Sequence, residues 1–259
     1  MLILRYLYSL WSGFWFVLLM IIGILVYTVA DLLFDRRKAA ATMIGYNRLW
    51  VTAWAKLVGV KYVVIDKEKL DINQAYVITS NHTGLADAIA ANYAINQPFA
   101  PLAKKEIYKV PLLGTIFKKT SVFVDRANAE SRKKSVQLLL DYMNSGVSVF
   151  IFPEGTRNKK AEVPLTKFYN GAFRIAIETQ KPLMPIVLIG GRNLFTKGKL
   201  PVNPCTITIV MGDPIDTTGM TVGENDNTDM EALKEQAFKT MWNLLVQHDP
   251  LFKHHKKID

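Results

Sequence analysis

The sequence predicts an α/β fold: a mostly parallel mixed sheet flanked by helices, with an N-terminal membrane-associated helical segment. Three observations predict it. From Lys61 onward, short β-branched runs alternate with helical periodicity; cap and turn residues mark each change of texture; and a long charge-free apolar stretch precedes Arg36. The 259 residues are half apolar, enough for a sizeable core. We divide the chain into a membrane-associated helical segment, residues 1–60, and an α/β domain, residues 61–259.

Between Arg5 and Asp31 runs "YLYSLWSGFWFVLLMIIGILVYTVA", with Tyr6, Trp11, Phe14, Trp15 and Tyr27 suited to a membrane interface. At ~1.5 Å per residue it is long enough to cross a ~30 Å hydrocarbon layer, or to re-enter one leaflet. A signal peptide and a buried core helix are the competing readings. Arg36, Arg37 and Lys38 follow the stretch, and the positive-inside tendency then keeps the remaining chain in the cytoplasm. Next, "AATMIGYNRLWVTAWAKLVGV" spaces Met43, Leu49, Trp50, Trp54, Leu57 and Val58 as a second, amphipathic helix. It either lies on a membrane surface or packs its tryptophans into the following domain.

Six stretches read as strands: "KYVVID", "AYVITS", "TSVFVDR", "VSVFIFP", "PLMPIVLIG" and "CTITIVMG". Between the third and fourth, Asn128 caps a helix whose Val136, Leu139, Leu140 and Met143 share a face, and Gly146 ends it. Thr228 and Glu231 read as a capping box for a last helix carrying Leu233, Ala237, Met241, Leu244 and Leu245, and Asp216 to Asp229 before it as loop. The terminal "KHHKKID" reads as a solvated tail.

A net charge of +10 favours anionic partners: nucleic acid, acidic lipid surfaces or phosphorylated small molecules. The lysines are spread along the chain with no reader motif, which argues against nucleic acid. The single cysteine, Cys205, excludes an intrachain disulfide, suggests a reducing compartment, and reads as a small hydrophobe in a strand. No Cys/His spacing suggests a metal site, and no G-x-S-x-G, P-loop or G-x-G-x-x-G pattern is present.

Chemistry-bearing residues gather where strands end. Asn81-His82 closes one apolar strand, with Asp87 five positions on. Inside one helix that separation turns the side chains ~140° apart. They meet only if the helix starts after His82, and a His82 ring nitrogen then lies within hydrogen-bond reach of Asp87. Arg126 closes a second strand. A third breaks at Pro153-Glu154-Gly155-Thr156-Arg157, offering a close backbone approach, a hydroxyl and a guanidinium fork. The two arginines, on strands that read as neighbours, suggest an anion site. A base, a carboxylate and cations, with no covalent nucleophile, suit transfer of an activated acyl group to a hydroxyl.

In order and spacing, Asn81 to Asp87, Gly114 with Phe123 to Arg126, Phe152 to Arg157, and Pro182 to Ile186 resemble the four sequence blocks of the glycerolipid acyltransferases, most nearly the 1-acyl-sn-glycerol-3-phosphate acyltransferases. The resemblance implies that residues 61–259 form the acyltransferase domain, that His82 and Asp87 are the catalytic dyad, and that Arg126, Glu154, Gly155, Thr156 and Arg157 bind the acceptor. It implies further that Lys104 binds phosphate or assists the oxyanion, that Pro185 lines the acyl-donor side, and that Lys167 and Gly171 belong to an additional family element. Thr83-Gly84 departs from the Gln-Ser of many members. The reaction so implied moves an acyl group from acyl-CoA or acyl-carrier protein to the sn-2 hydroxyl of a lysophospholipid, 1-acyl-glycerol-3-phosphate, giving phosphatidic acid. It needs no cofactor or metal, and takes place at a membrane with the catalytic domain facing the cytoplasm. The alternatives are another lysolipid acceptor, or a non-catalytic protein that holds acidic lipids.

Overall fold

The computed structural model describes residues 2–195, 202–223 and 226–258, without the side chains of Leu2, Arg5 and Arg36. The basic flanks at Arg5 and Arg36, the loop positions 224 and 225, and the last tail residue, Asp259, therefore lie partly or wholly outside the described structure. Among the described residues, seven strands form one sheet in the order β1-β7-β6-β2-β5-β3-β4. These are β1 (Lys61–Ile65), β2 (Val77–Ser80), β3 (Phe99–Lys104), β4 (Val122–Val124), β5 (Ser148–Ile151), β6 (Leu183–Ile189) and β7 (Thr206–Met211). Only β6 with β7 is antiparallel; the other neighbours run parallel.

Helices cover both faces, which explains why β2, β5 and β6 are apolar without alternation. On one face Ile78, Phe150, Met184 and Ile186 pack beneath α2 (Arg36–Leu57) and α3 (Leu85–Ala94). On the other, Val77, Val149, Leu183 and Val187 pack beneath α5 (Ala129–Asn144), α6 (Gly171–Thr179) and α8 (Thr228–His248). Asn128 caps α5 as predicted, its side chain accepting the Ser131 N–H at 2.9 Å, and Gly146 follows the helix with φ +77°.

The strand absent from the sequence reading is β3, "FAPLAK", which contains Pro101 and a charged end and carries little β-propensity of its own. Its neighbours supply the order: Phe99 to Pro101 pair with β5 and Leu102 to Lys104 with β4. The imino acid sits where the strand changes partner, where a missing N–H costs least. Two further expectations are corrected. Thr228 is the first residue of α8, not its cap; Asn227 precedes it, and the Thr228 hydroxyl donates to Asp226 instead of to its own helix. The tail is docked through its backbone, with only the side chains of Lys253, His254, Lys256 and Lys257 solvated: Trp242 Nε1 donates to the Lys256 carbonyl at 2.9 Å, and Asn243 makes two bonds with the Ile258 backbone. His255 lies edge-on to Trp242 and bonds the Glu162 carbonyl at 3.1 Å.

The helix α1 (Leu2–Leu33) is long and apolar enough to cross a membrane. Only 22% of its most apolar stretch is buried, unlike a core helix, and Leu4, Leu7, Trp11, Phe14, Leu25 and Leu32 are exposed. This unpartnered face suggests membrane association. The inner face, through Ser12, Met20, Tyr27 and Ala30, packs against α2 and α4 (Leu113–Thr120). In α2, Trp50 and Trp54 are buried against Phe16, and Trp54 Nε1 donates to the Ser12 carbonyl at 3.1 Å. The tryptophans therefore face protein, leaving Leu49, 67% exposed, on the outer side.

Candidate active site

At the end of β2 the Asn81 side chain replaces a stretch of backbone ladder. Its amide donates to the Leu188 carbonyl at 2.9 Å and accepts the Leu188 N–H at 2.7 Å. The chain is thereby held to β6 as it turns, and His82 is presented just beyond the sheet edge. Helix α3 begins at Leu85, so Asp87 lies in its first turn while His82 stays outside the helix. His82 Nδ1 and Asp87 Oδ2 are 2.9 Å apart. The imidazole also stacks on Phe152, ring centroids 3.9 Å apart.

Asp87 is fully buried. Besides the imidazole, its carboxylate accepts the Thr83 N–H, the Gly84 N–H at 2.7 Å and the Thr83 hydroxyl at 3.0 Å. Thr83 and Gly84, the residues that depart from the resemblance, thus supply three of the carboxylate's four donors. Asp87 also occupies the first-turn position at which a carboxylate caps the backbone and meets the positive end of the helix. With Nδ1 engaged and Nε2 unbonded among the described residues, the geometry suits proton abstraction through Nε2.

Beyond β5 the chain turns at Gly155, whose φ of +66° favours glycine; a Cβ there would also meet the Tyr169 ring at 3.0 Å. Glu154 is 1% exposed and faces inward. Oε1 accepts the His82 N–H at 2.8 Å, and Oε2 accepts the Thr166 N–H at 2.9 Å and its hydroxyl at 2.6 Å. Burial pushes the Glu154 carboxyl pKa up, opposed by the hydrogen bonds from Thr166 and His82. The acceptor-binding expectation for Glu154 therefore meets a carboxylate already committed to protein donors. Asn158 N–H donates to the His82 carbonyl at 2.7 Å, so the Pro153–Asn158 turn holds both backbone groups of His82.

A cavity of about 350 Å³ opens beside the His82 ring. Its exposed rim carries Lys104, Arg126, Thr156, Arg157 and Lys159, and its buried wall includes Met20, Ile44, Ile89, Phe99, Ile116 and Phe150. Arg126 and Arg157 form no ion pair among the described residues. Partial desolvation pulls the Arg126 pKa down, opposed by Glu106 and Tyr169, and the guanidinium stays charged. The strands preceding the two arginines are not neighbours, since β3 lies between β4 and β5, yet one cavity receives both. Lys104 lines this cavity and pairs with Glu106 at 3.0 Å, whereas Lys105 turns to Asp125 at 3.5 Å.

Pro185 does not reach the cavity. It is buried in β6 between Leu183 and Val187, on the face beneath α8, and its carbonyl accepts the Gly212 N–H at 2.8 Å. Against the donor-side expectation for Pro185, strand alternation points its ring away from this cavity. Lys167 is exposed and lies outside the lining, and Gly171 opens α6. Gly114 is a packing residue, since a Cβ there would come 2.3 Å from the Tyr108 carbonyl oxygen. Cys205 is half-buried just before β7, and burial raises its thiol pKa. No group of three or more His, Cys, Asp or Glu able to hold a metal occurs among the described residues.

A family model described as Acyltransferase matches residues 61–189. The chain belongs to the acyltransferase family. That match begins with β1 and ends with β6, so it contains the His82–Asp87 pair and the Glu154 turn but none of α1, α2 or α8. Among curated relatives, a putative 1-acyl-sn-glycerol-3-phosphate acyltransferase of Caenorhabditis elegans is 31% identical over 175 residues, 66% of this chain and 61% of that one. The 1-acyl-sn-glycerol-3-phosphate acyltransferase of Borreliella burgdorferi is 25% identical over 76% of this chain and 77% of its own. Human 1-acyl-sn-glycerol-3-phosphate acyltransferase beta is 26% identical over 68% and 63%. The matched part thus spans less than two thirds of the nematode and human proteins. The crystal structure of PlsC, the 1-acyl-sn-glycerophosphate acyltransferase of Thermotoga maritima, shares the fold of this acyltransferase, with TM-score 0.71 at 22% identity over 92% of this chain and 96% of that one.

Proposed function

We propose that this acyltransferase moves a fatty acyl group from an acyl thioester, acyl-CoA or acyl-carrier protein, to the sn-2 hydroxyl of 1-acyl-glycerol-3-phosphate, forming phosphatidic acid. The observation that carries the reading is the placement of the His82–Asp87 pair between a cationic rim and an apolar cavity. A lysophosphatidate has a phosphate for the rim, an acyl chain for apolar surroundings and a hydroxyl between them. The names of the curated relatives support the same acceptor.

In this reading His82 Nε2 removes the hydroxyl proton as the oxygen attacks the thioester carbonyl. Asp87 holds the ring by Nδ1 and stabilises the imidazolium. The tetrahedral oxyanion collapses, the C–S bond breaks, and the imidazolium returns the proton to the departing thiolate. Lys104, Arg126, Thr156 and Arg157 meet the acceptor phosphate. Gly155 shapes that loop, and Glu154 positions His82. The drawn chemistry uses no metal and no covalent enzyme intermediate.

Residues 1–60 form the membrane-associated segment and residues 61–259 the catalytic domain. Phe16, Met20 and Tyr27 of α1 line the cavity, so the helix is part of the catalytic unit and turns its outer face to lipid. This supports embedding in one leaflet, with Arg37 and Lys38 keeping the domain cytoplasmic. The protein is expected to stay with membranes through a high-salt wash and to need detergent for release; recovery of full-length protein in the wash contradicts the embedding.

An acyl-transfer assay across lysolipids and thioester donors tests the function. Activity should be greatest with lysophosphatidate, and preference for an acceptor without phosphate overturns the assignment. Arg126→Ala should raise the KM for the lysolipid about tenfold or more and leave that for the thioester unchanged, as loss of an ionic hydrogen bond to one substrate predicts. An equal rise in both removes Arg126 from the acceptor site.

A further inference from the structure

The carboxylate of Asp87 rests against a residue that lies more than a hundred positions away and has no side chain. Gly191 is buried at the turn after β6, as the first residue of α7 (Gly191–Leu194). A Cβ built on it would stand 2.8 Å from Asp87 Oδ1, 3.4 Å from Ala86 Cβ and 3.6 Å from Thr83 Oγ1. The preceding Gly190 has a separate reason to be glycine, with φ +84° and a would-be Cβ 2.4 Å from the Thr206 carbonyl oxygen. Gly191 carries no such backbone demand; what its bare Cα provides is room for a carboxylate oxygen.

That oxygen cannot easily give way. Asp87 is fully buried, Oδ1 accepts the Thr83 hydroxyl, and Oδ2 accepts Nδ1 of His82 and the N–H groups of Thr83 and Gly84. A contact under 3.0 Å is relieved cheaply only by a loose side-chain end, and this end is bonded on both oxygens. A methyl group at position 191 must therefore rotate or push the carboxylate, and with it the contact to Nδ1.

We propose that Gly191 is a positioning residue for acyl transfer: its missing side chain, with the Thr83 hydroxyl beside it, fixes the Asp87 carboxylate in the orientation that aligns His82. The inference rests on the dyad reading of the proposed function. It adds a requirement from the neighbouring strand, because the β6–α7 turn and the β2–α3 turn must keep a fixed spacing for the dyad to form.

The test uses the full-length protein in detergent and the variants Gly191→Ala, Asp87→Ala, Gly191→Ala with Asp87→Ala, Thr83→Val and His82→Ala. Gly191→Ala should lower kcat about 100-fold with KM for both substrates little changed, the size of effect that an ångström-scale misplacement produces. Thr83→Val should lower kcat several-fold in the same pattern. Thermal melting of the first three variants forms a double-mutant cycle. If the methyl meets the carboxylate, the fall in Tm caused by Gly191→Ala should shrink by at least half when Asp87 is already alanine. This arm reads the contact without activity, and the double variant reports it even where Gly191→Ala alone folds poorly. Wild-type kcat in Gly191→Ala beside an inactive His82→Ala overturns the inference and leaves the dyad standing. An equal fall in Tm in both backgrounds also overturns it. Turnover by His82→Ala overturns the dyad reading itself.

Discussion

His82→Ala is expected to lower acyl transfer by about 10³-fold, within the range that a positioned general base contributes, with the fold retained. The ring is held from three directions: Asp87 at Nδ1, Phe152 against its face, and Glu154 with Asn158 on its backbone. Alanine removes the first two contacts and leaves the backbone clamps, so the β2–α3 turn keeps its path. The variant is compared with wild type by initial rates of phosphatidic acid formation and by thermal melting. Turnover within tenfold of wild type, from protein that melts normally, contradicts the assignment of His82 as base. The carboxylate partner separates catalysis from mere binding, because a lipid-holding protein has no use for a donor-saturated aspartate fixed on a histidine at the cavity edge.

Glu154→Gln is expected to cost about 2 kcal/mol of stability and to lower kcat, because an isosteric amide cannot accept on both sides. One carboxylate oxygen meets the His82 N–H and the other meets two Thr166 donors. Whichever side the amide nitrogen takes, a donor faces a donor in a buried place. If the nitrogen faces His82, the turn bearing the base shifts; if it faces Thr166, the loop behind the cavity rim loosens. Denaturant unfolding and steady-state kinetics report the two consequences. Unchanged stability with a rise confined to the lysolipid KM shows instead that Glu154 binds substrate directly.

Much of the fold was legible because local pattern and tertiary role agree. The apolar runs at Val77 to Ser80 and Leu183 to Ile189 are buried on both faces of a sheet, and Asn128 caps α5 with its own side chain. Strand β3 was not legible, since Pro101 and Lys104 argue against a strand and only pairing with β4 and β5 makes it one. The Thr228 cap failed because a nearer carboxylate, Asp226, takes the hydroxyl.

The site divides in the same way. That His82 and Asp87 meet follows from their spacing and from a helix that starts late, and the structure gives the distance. The roles of Thr83 and Gly84 were hidden because donors to a buried carboxylate look like ordinary loop residues. Glu154 and Pro185 each sit in a strand-end block, but side-chain direction is set by the fold: Glu154 points inward and Pro185 lies on the opposite face of the sheet. Gly191 left no local trace at all, its significance being a contact with Asp87.

The most direct measurement of the central claim is product analysis. Purified protein in detergent, given 1-acyl-glycerol-3-phosphate and an acyl thioester, should yield phosphatidic acid carrying the new chain at sn-2, with one free thiol released per ester formed. Thiol release without ester, or acylation that continues undiminished in His82→Ala, contradicts it.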